Sequence, residues 1–351
     1  MGLPPDRAPH TDDDLPMAGE TQTSIAVLGA GSWGTALAIL LDRNRHAVRL
    51  WGHDAARLAR LARERENTRY LPGVPLSADL TIATGLEDAV TGTGGALVAV
   101  PSHAFRSTLQ ALRPHLPADA IVAWATKGFE PGTGKLLHTA AHEVLDGAAR
   151  IAVVSGPTFA REVAQGLPTA FVVASEHEDV ARAVAGWLRN ERTRVYTSRD
   201  MPGVQLGGAI KNVMAIAAGI SDGLGFGANA RAGLITRGLA ELARLGVAMG
   251  GERETFMGLA GAGDLILTCT DDTSRNRRVG LGLGRGRKLP DILAELGQEA
   301  EGVATAKELY TLARRIHVDM PITEQVYRVL YENTSPQQAV EALFQRESRA
   351  E

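Results

Sequence analysis

From residue 24 onward, short β-branched runs alternate with longer stretches whose apolar positions recur every three or four residues. The short runs fall at 25–28, 48–51, 80–83, 96–100, 121–125, 151–155, 170–174 and 194–197, and read as strands. Their nearly continuous apolar character is that of strands buried on both faces, as in a parallel sheet covered by helices on each side. Between them, 54–65, 104–113, 135–145 and 179–190 carry the amphipathic helical period, and 35–41 forms a helix directly after the first strand. This half is predicted to be a doubly wound, Rossmann-type α/β domain.

After about residue 200 the strand-like runs stop. Helical patterns follow at 204–220, 230–249, 274–283, 305–316, 323–330 and 336–344, separated by glycine-containing loops, with a glycine-rich patch over 280–286. The second domain is therefore expected to be all α. The predicted organisation is a tail over 1–23, a cofactor domain over 24–199 and a helical substrate domain over 200–346. The most apolar stretch, 204–220, is short for a bilayer span, rich in glycine and interrupted by Lys211 and Asn212, so it reads as a buried helix of a soluble fold without membrane insertion.

Composition narrows the function without naming it. The chain has 351 residues, 44% hydrophobic and 22% charged, enough for two cores. Its formal charge of −3 gives no whole-chain attraction to nucleic acid or to an anionic membrane, so anion recognition has to be local. The single cysteine, Cys269, cannot form an intramolecular disulfide, and no CxxC or HExxH spacing offers a metal site; a reducing, cytoplasmic setting is expected. The first twenty residues hold Pro4, Pro5 and the acidic run 12–14 with no apolar block, which fits neither a secretory nor a transit peptide and reads as a disordered tail.

The first strand runs into Gly29-Ala30-Gly31-Ser32-Trp33-Gly34, which closes the strand and opens a helix. Gly29 allows the tight turn, Gly31 admits a pyrophosphate against the backbone, and Gly34 lets helix and strand approach; the helix N-terminus then faces the anion. The second strand ends in Trp51-Gly52-His53-Asp54, followed by Arg57. His53 stands where an NAD-selective site places an acid, which with Arg57 favours NADP or dual use; the alternative is that Asp54 is only a helix N-cap and His53 a surface residue. Lys127, after the strand at 121–125, falls at a carboxyl end of the sheet, where ligands of such folds bind.

Lys211 interrupts a helix that is otherwise apolar on every face. Burial lowers an ammonium pKa, the tuning a lysine general base needs; a structural lysine paired with a carboxylate is the plainer reading. Asp264, after Gly261-Ala262-Gly263, can pair with Lys211 and meet a substrate hydroxyl, or cap a helix. Ser274, Arg275 and Asn276 are expected to open a helix whose side chains and dipole converge on a dianion, while Arg277 or Arg278 belongs to a solvated face.

These blocks, together with Trp124-Ala125-Thr126-Lys127-Gly128, Ser155-Gly156-Pro157-Thr158-Phe159-Ala160 and Gln205 to Asn212, closely resemble the bacterial NAD(P)-dependent glycerol-3-phosphate dehydrogenases over about 24–344, in family order. The resemblance implies that Lys211 exchanges the proton as dihydroxyacetone phosphate and sn-glycerol 3-phosphate interconvert with NAD(P)H. It implies substrate contacts from Lys127, Gly156, Thr158, Asp264, Ser274, Arg275 and Asn276. It further implies cofactor contacts from Ser32, Trp33, His53, Lys127, Ala160 and Arg275, with Glu301 near the nicotinamide end. A homodimer and a role in supplying glycerol 3-phosphate for phospholipids are expected on the same ground. Glu299 departs from the family, standing where members often have an apolar residue. Two rival readings stand beside it: a 6-phosphogluconate- or hydroxyisobutyrate-type dehydrogenase, which shares a Rossmann domain, a helical domain and a lysine base, and a nucleotide sensor without turnover, which would not need a buried lysine.

Overall fold

All eight expected strands form and join one sheet. They are β1 (Ser24–Leu28), β2 (Ala47–Trp51), β3 (Thr81–Ile82), β4 (Gly95–Val98), β5 (Ile121–Trp124), β6 (Ile151–Ser155), β7 (Thr169–Ala174) and β8 (Thr193–Ser198), in the order β3-β2-β1-β4-β5-β6-β7-β8. The computed structural model describes residues 22–145 and 150–346, so the expected disordered tail lies outside the described residues except for its last two positions. β1 to β6 pair in parallel, but β7 runs antiparallel to β6, and β8 is parallel to β7. The expected parallel sheet is thus parallel throughout except at the β6–β7 pairing. Apolar patterning is indifferent to strand direction, and the β6–β7 connection turns back at the same end of the sheet.

The helices of this half are α1 (Ser32–Arg43), α2 (Ala55–Glu64), α3 (Leu86–Val90), α4 (Ser102–Leu112), α5 (Leu137–Leu145), α6 (Ala160–Gln165) and α7 (Glu178–Leu188). Alternate residues of β1 enter opposite cores: Ile25 and Val27 pack with Leu37, Leu40 and Phe171, whereas Ala26 and Leu28 pack with Phe105 and Trp124. Both faces of the sheet are thus covered. The sequence pattern missed α3 and α6, of five and six residues, which are too short to show a helical period. Because β1 lies between β2 and β4, the strand order reverses at β1, and a crevice opens at the carboxyl ends of β1 and β4.

The C-terminal domain is all helical among the described residues: α8 (Met201–Gly223), α9 (Ala228–Ala248), α10 (Arg253–Met257), α11 (Asp264–Thr270), α12 (Arg275–Gly284), α13 (Leu289–Leu296), α14 (Glu301–Arg315), α15 (Pro321–Tyr331) and α16 (Pro336–Phe344). Asp200 starts α8, accepting from the Gly203 N–H at 2.8 Å, and its other oxygen takes the Glu252 N–H at 2.8 Å. Every residue from Gly203 to Ser221 is buried, and the most apolar window of α8 lies wholly inside the fold. The glycine-rich patch has a packing reason. A Cβ on Gly280 would lie 2.9 Å from the Gly219 Cα, and one on Gly223 would lie 3.0 Å from the Gly284 Cα, so α8 and α12 touch backbone to backbone. That contact fixes where the start of α12 stands relative to Lys211.

Candidate active site

A cleft of about 1110 Å³ runs from the glycine loop after β1, past the ends of β4 and β5, to the first turn of α12. Each loop glycine meets its own constraint. Gly29 adopts φ +126°, and a Cβ there would come within 2.5 Å of the Ala99 carbonyl oxygen. A Cβ on Gly34 would overlap the Gly29 carbonyl oxygen, whereas one on Gly31 would project into open space. The loop is therefore a tight turn with an unobstructed backbone at the start of α1, the cradle that a pyrophosphate requires. Ser32 and Trp33 line it, and Trp33 stacks on Phe171 with ring centroids 6.2 Å apart.

His53, Asp54 and Arg57 line the far end of the cleft. Asp54 is the N-cap of α2, accepting from the Arg57 N–H at 3.0 Å, and it also pairs with the Arg57 guanidinium at 3.1 Å. The plainer reading of Asp54 is thus the observed one. Arg57 also donates to the Tyr70 hydroxyl at 2.8 Å, so its guanidinium is held between Asp54 and Tyr70 beside exposed His53.

At the centre, three elements meet on one carboxylate. Asp264, the first residue of α11, has no exposed surface; its Oδ1 accepts from Lys211 Nζ at 2.5 Å and its Oδ2 from Lys127 Nζ at 2.6 Å. Asp264 does not cap the helix: Gly263 holds the N-cap position, and both carboxylate oxygens serve the lysines. Thr268, one turn further along α11, accepts from Lys211 Nζ at 2.9 Å. Desolvation by burial lowers the Lys211 pKa to about 8, resisted by the Asp264 charge and reinforced by the Lys127 charge. Lys127 Nζ also lies 3.4 Å from the Gly156 carbonyl oxygen, and Gly156 itself adopts φ +132°. Lys127, Lys211, Thr158 and Ala160 line the cleft; Asp264 and Gly156 stand behind it.

Ser274 caps α12, accepting from the Arg277 N–H at 3.2 Å, which leaves its own proton free to donate. Asn276 accepts from the Gly302 N–H at 2.9 Å through its carbonyl oxygen, so its amide nitrogen remains the donor. Arg275 lines the cleft and reaches Gln298 at 3.5 Å. Hydroxyl, amide, guanidinium and helix start therefore present donors only, an arrangement suited to a dianion. Of the two candidates for a solvated face, Arg277 or Arg278, it is Arg278 that is exposed, whereas Arg277 is buried between two carboxylates. Glu301, at the start of α14, lines the cleft; burial raises its pKa, against the Arg275 charge and with that of Glu299. Glu299 faces His103 across the cleft mouth, Oε1 to Nδ1 at 3.6 Å.

Sequence reasoning missed Thr268 and Asn67. Thr268 was legible only as the i+4 neighbour of Asp264 on a helix too short to be read. Asn67 Nδ2 donates to the Ala30 carbonyl at 3.1 Å and to Thr35 Oγ1 at 2.7 Å, tying the loop after α2 onto the glycine turn; nothing local marks it.

A Rossmann cleft that ends on a buried lysine and a donor-lined helix start defines the class, a two-domain nicotinamide-dependent dehydrogenase. Two family models cover the chain: the NAD-dependent glycerol-3-phosphate dehydrogenase N-terminus matches residues 24–181, and the C-terminus of the same family matches 200–341. The chain belongs to the NAD-dependent glycerol-3-phosphate dehydrogenase family. It is 56% identical over 325 residues to the glycerol-3-phosphate dehydrogenase [NAD(P)+] of Nitrosococcus oceani, covering 93% of this chain and 94% of that one. With the enzyme of the same name from Pseudoalteromonas translucida it shares 55% over 330 residues, 94% of this chain and 98% of that one. The crystal structure of glycerol-3-phosphate dehydrogenase from Coxiella burnetii superposes with a TM-score of 0.90 at 45% identity, over 93% of this chain and 99% of that one.

Proposed function

We propose that this chain is an NAD(P)-dependent sn-glycerol-3-phosphate dehydrogenase, reversibly reducing dihydroxyacetone phosphate. The observation that carries the reading is the Asp264 carboxylate holding the Lys127 and Lys211 ammonium groups at 2.6 and 2.5 Å between the glycine-loop cleft and the donors of α12. In this reading residues 24–199 bind the cofactor and 200–346 the substrate. The cofactor residues are Gly29, Gly31, Ser32, Trp33, Gly34, His53, Ala160 and Glu301. Arg275 and Lys127 serve both ligands. Bound nicotinamide supplies the hydride to the substrate C2 carbon.

The residues of the chain do the rest. Ser274, Arg275 and Asn276 hold the phosphate, and Thr158 and the Gly156 turn border the three-carbon body. Lys211 donates its proton to the C2 oxygen as the carbonyl is reduced and takes it back in oxidation. Its depressed pKa makes both directions accessible near neutral pH. Lys127 offsets the negative charge developing on the same oxygen, and Asp264 holds both ammonium groups in place. His53 and Arg57 favour NADPH over NADH, with both used. A homodimer, a cytoplasmic location and a supply of glycerol 3-phosphate for phospholipids complete the reading. Its test is the consumption of NADPH and NADH with dihydroxyacetone phosphate, run beside Lys211→Met. A near-normal rate in that variant would remove the assignment of Lys211.

A further inference from the structure

Arg277 is a buried cation of the C-terminal domain that does not line the cleft. Its Nη1 donates to Asp222 Oδ2 at 2.5 Å, and its Nε donates to Asp272 Oδ1 at 2.8 Å. Asp222 sits in the last turn of α8, eleven residues beyond Lys211, or roughly 16 Å of helix at 1.5 Å per residue. Asp222 also takes Arg231 of α9 at 2.8 Å. Asp272 belongs to the loop that leads into Ser274. The Arg277 backbone joins the same construction: its N–H is the one capped by Ser274, and its carbonyl oxygen occupies the space that a Cβ on Gly219 would fill.

Arg277 thus ties the loop before α12 and the first turn of α12 to the helix that carries Lys211. Arg277 as a residue has only 6% of its surface exposed, and a guanidinium so buried is costly unless such pairs are complete, so its geometry is tightly held. We infer that Arg277, with Asp222 and Asp272, is a positioning residue that sets where Ser274, Arg275 and Asn276 present their donors to the phosphate of the substrate. The inference rests on the reading of those three residues as the phosphate site.

The experiment measures KM for dihydroxyacetone phosphate, Ki for inorganic phosphate as a competing anion, and KM for NADPH in Arg277→Gln, Asp222→Asn and Asp272→Ala. The first two constants should rise about tenfold in Arg277→Gln while KM for NADPH rises by a clearly smaller factor, because of the three displaced donors only Arg275 also serves the cofactor. Arg277→Lys, which keeps the charge but not the fork, should fall between. If Arg277→Gln does not fold, Asp272→Ala, which removes a largely exposed carboxylate, carries the test with a smaller shift of the same kind. A proportional rise in KM for NADPH, or unchanged phosphate constants in every folded variant, overturns the inference. Arg275→Ala separates the two levels. If it leaves KM for dihydroxyacetone phosphate unchanged, the site reading fails; if it raises KM and the Arg277, Asp222 and Asp272 variants do not, only the positioning role fails.

Discussion

Lys127, at the carboxyl end of β5, and Asp264, 137 residues later at the start of α11, meet at 2.6 Å with the carboxylate fully buried. The pair joins the sheet to the helical domain at the point where Lys211 also lands. One carboxylate thereby holds two cations that would otherwise repel each other in a poorly solvated cleft.

Asp264→Asn should cost both catalysis and stability. The neutral amide leaves two ammonium groups without their counter-charge, and breaking a buried pair of this kind costs about 3–5 kcal/mol. A drop in melting temperature together with a kcat reduced roughly a hundredfold or more is expected from calorimetry and steady-state kinetics. Unchanged kcat would show that the carboxylate does not set the lysine geometry.

The pH profile follows from Lys211. Its pKa is lowered to about 8 by burial, so the neutral amine that accepts a proton predominates above that pH and the ammonium that donates one predominates below it. Oxidation of glycerol 3-phosphate should therefore rise with pH through about 8, and reduction of dihydroxyacetone phosphate should fall over the same range. Both inflections should vanish in Lys211→Met, whose residual kcat is expected to be lower by roughly a hundredfold to ten-thousandfold.

Gly34→Ala places a Cβ on the Gly29 carbonyl oxygen, with the Ala99 Cβ 3.3 Å away and no flexible side chain to yield. Reopening the turn should cost about 1–3 kcal/mol and weaken NADPH and NADH alike, readable by fluorescence titration of the reduced nucleotides. Gly31→Ala is the contrast. Its Cβ meets nothing in the protein, so stability should hold while nucleotide affinity falls.

Arg57→Ala should act on one cofactor only. Removing the guanidinium beside His53 and Tyr70 is expected to raise KM for NADPH about tenfold, the scale of one charge-assisted hydrogen bond, with KM for NADH nearly unchanged. Equal effects on both cofactors would place the adenosine ribose elsewhere.

The features legible in the sequence are those whose physics is local. The glycine loop shows because three positions each need a missing Cβ within six residues, and Lys211 shows because it is a charge on an all-apolar helix. The lysine–carboxylate pairing was anticipated for Lys211, since both groups sit in apolar runs that leave few other partners. The Lys127 contact was not, because the path from β5 to α11 is set by tertiary packing. The choice between Arg277 and Arg278 stays open in the sequence for a related reason. Three arginines within four positions look alike in sequence, and only the approach of Asp222 from α8 distinguishes the buried one. The reversal of β7 was hidden because a doubly buried strand carries the same apolar run in either direction.

The central claim is tested most directly by following the reduced-nicotinamide absorbance of the purified protein with NADPH and dihydroxyacetone phosphate. The account predicts loss of that absorbance in step with formation of sn-glycerol 3-phosphate, abolished by Lys211→Met. An ample concentration of folded, NADPH-binding protein that leaves the absorbance unchanged would contradict it.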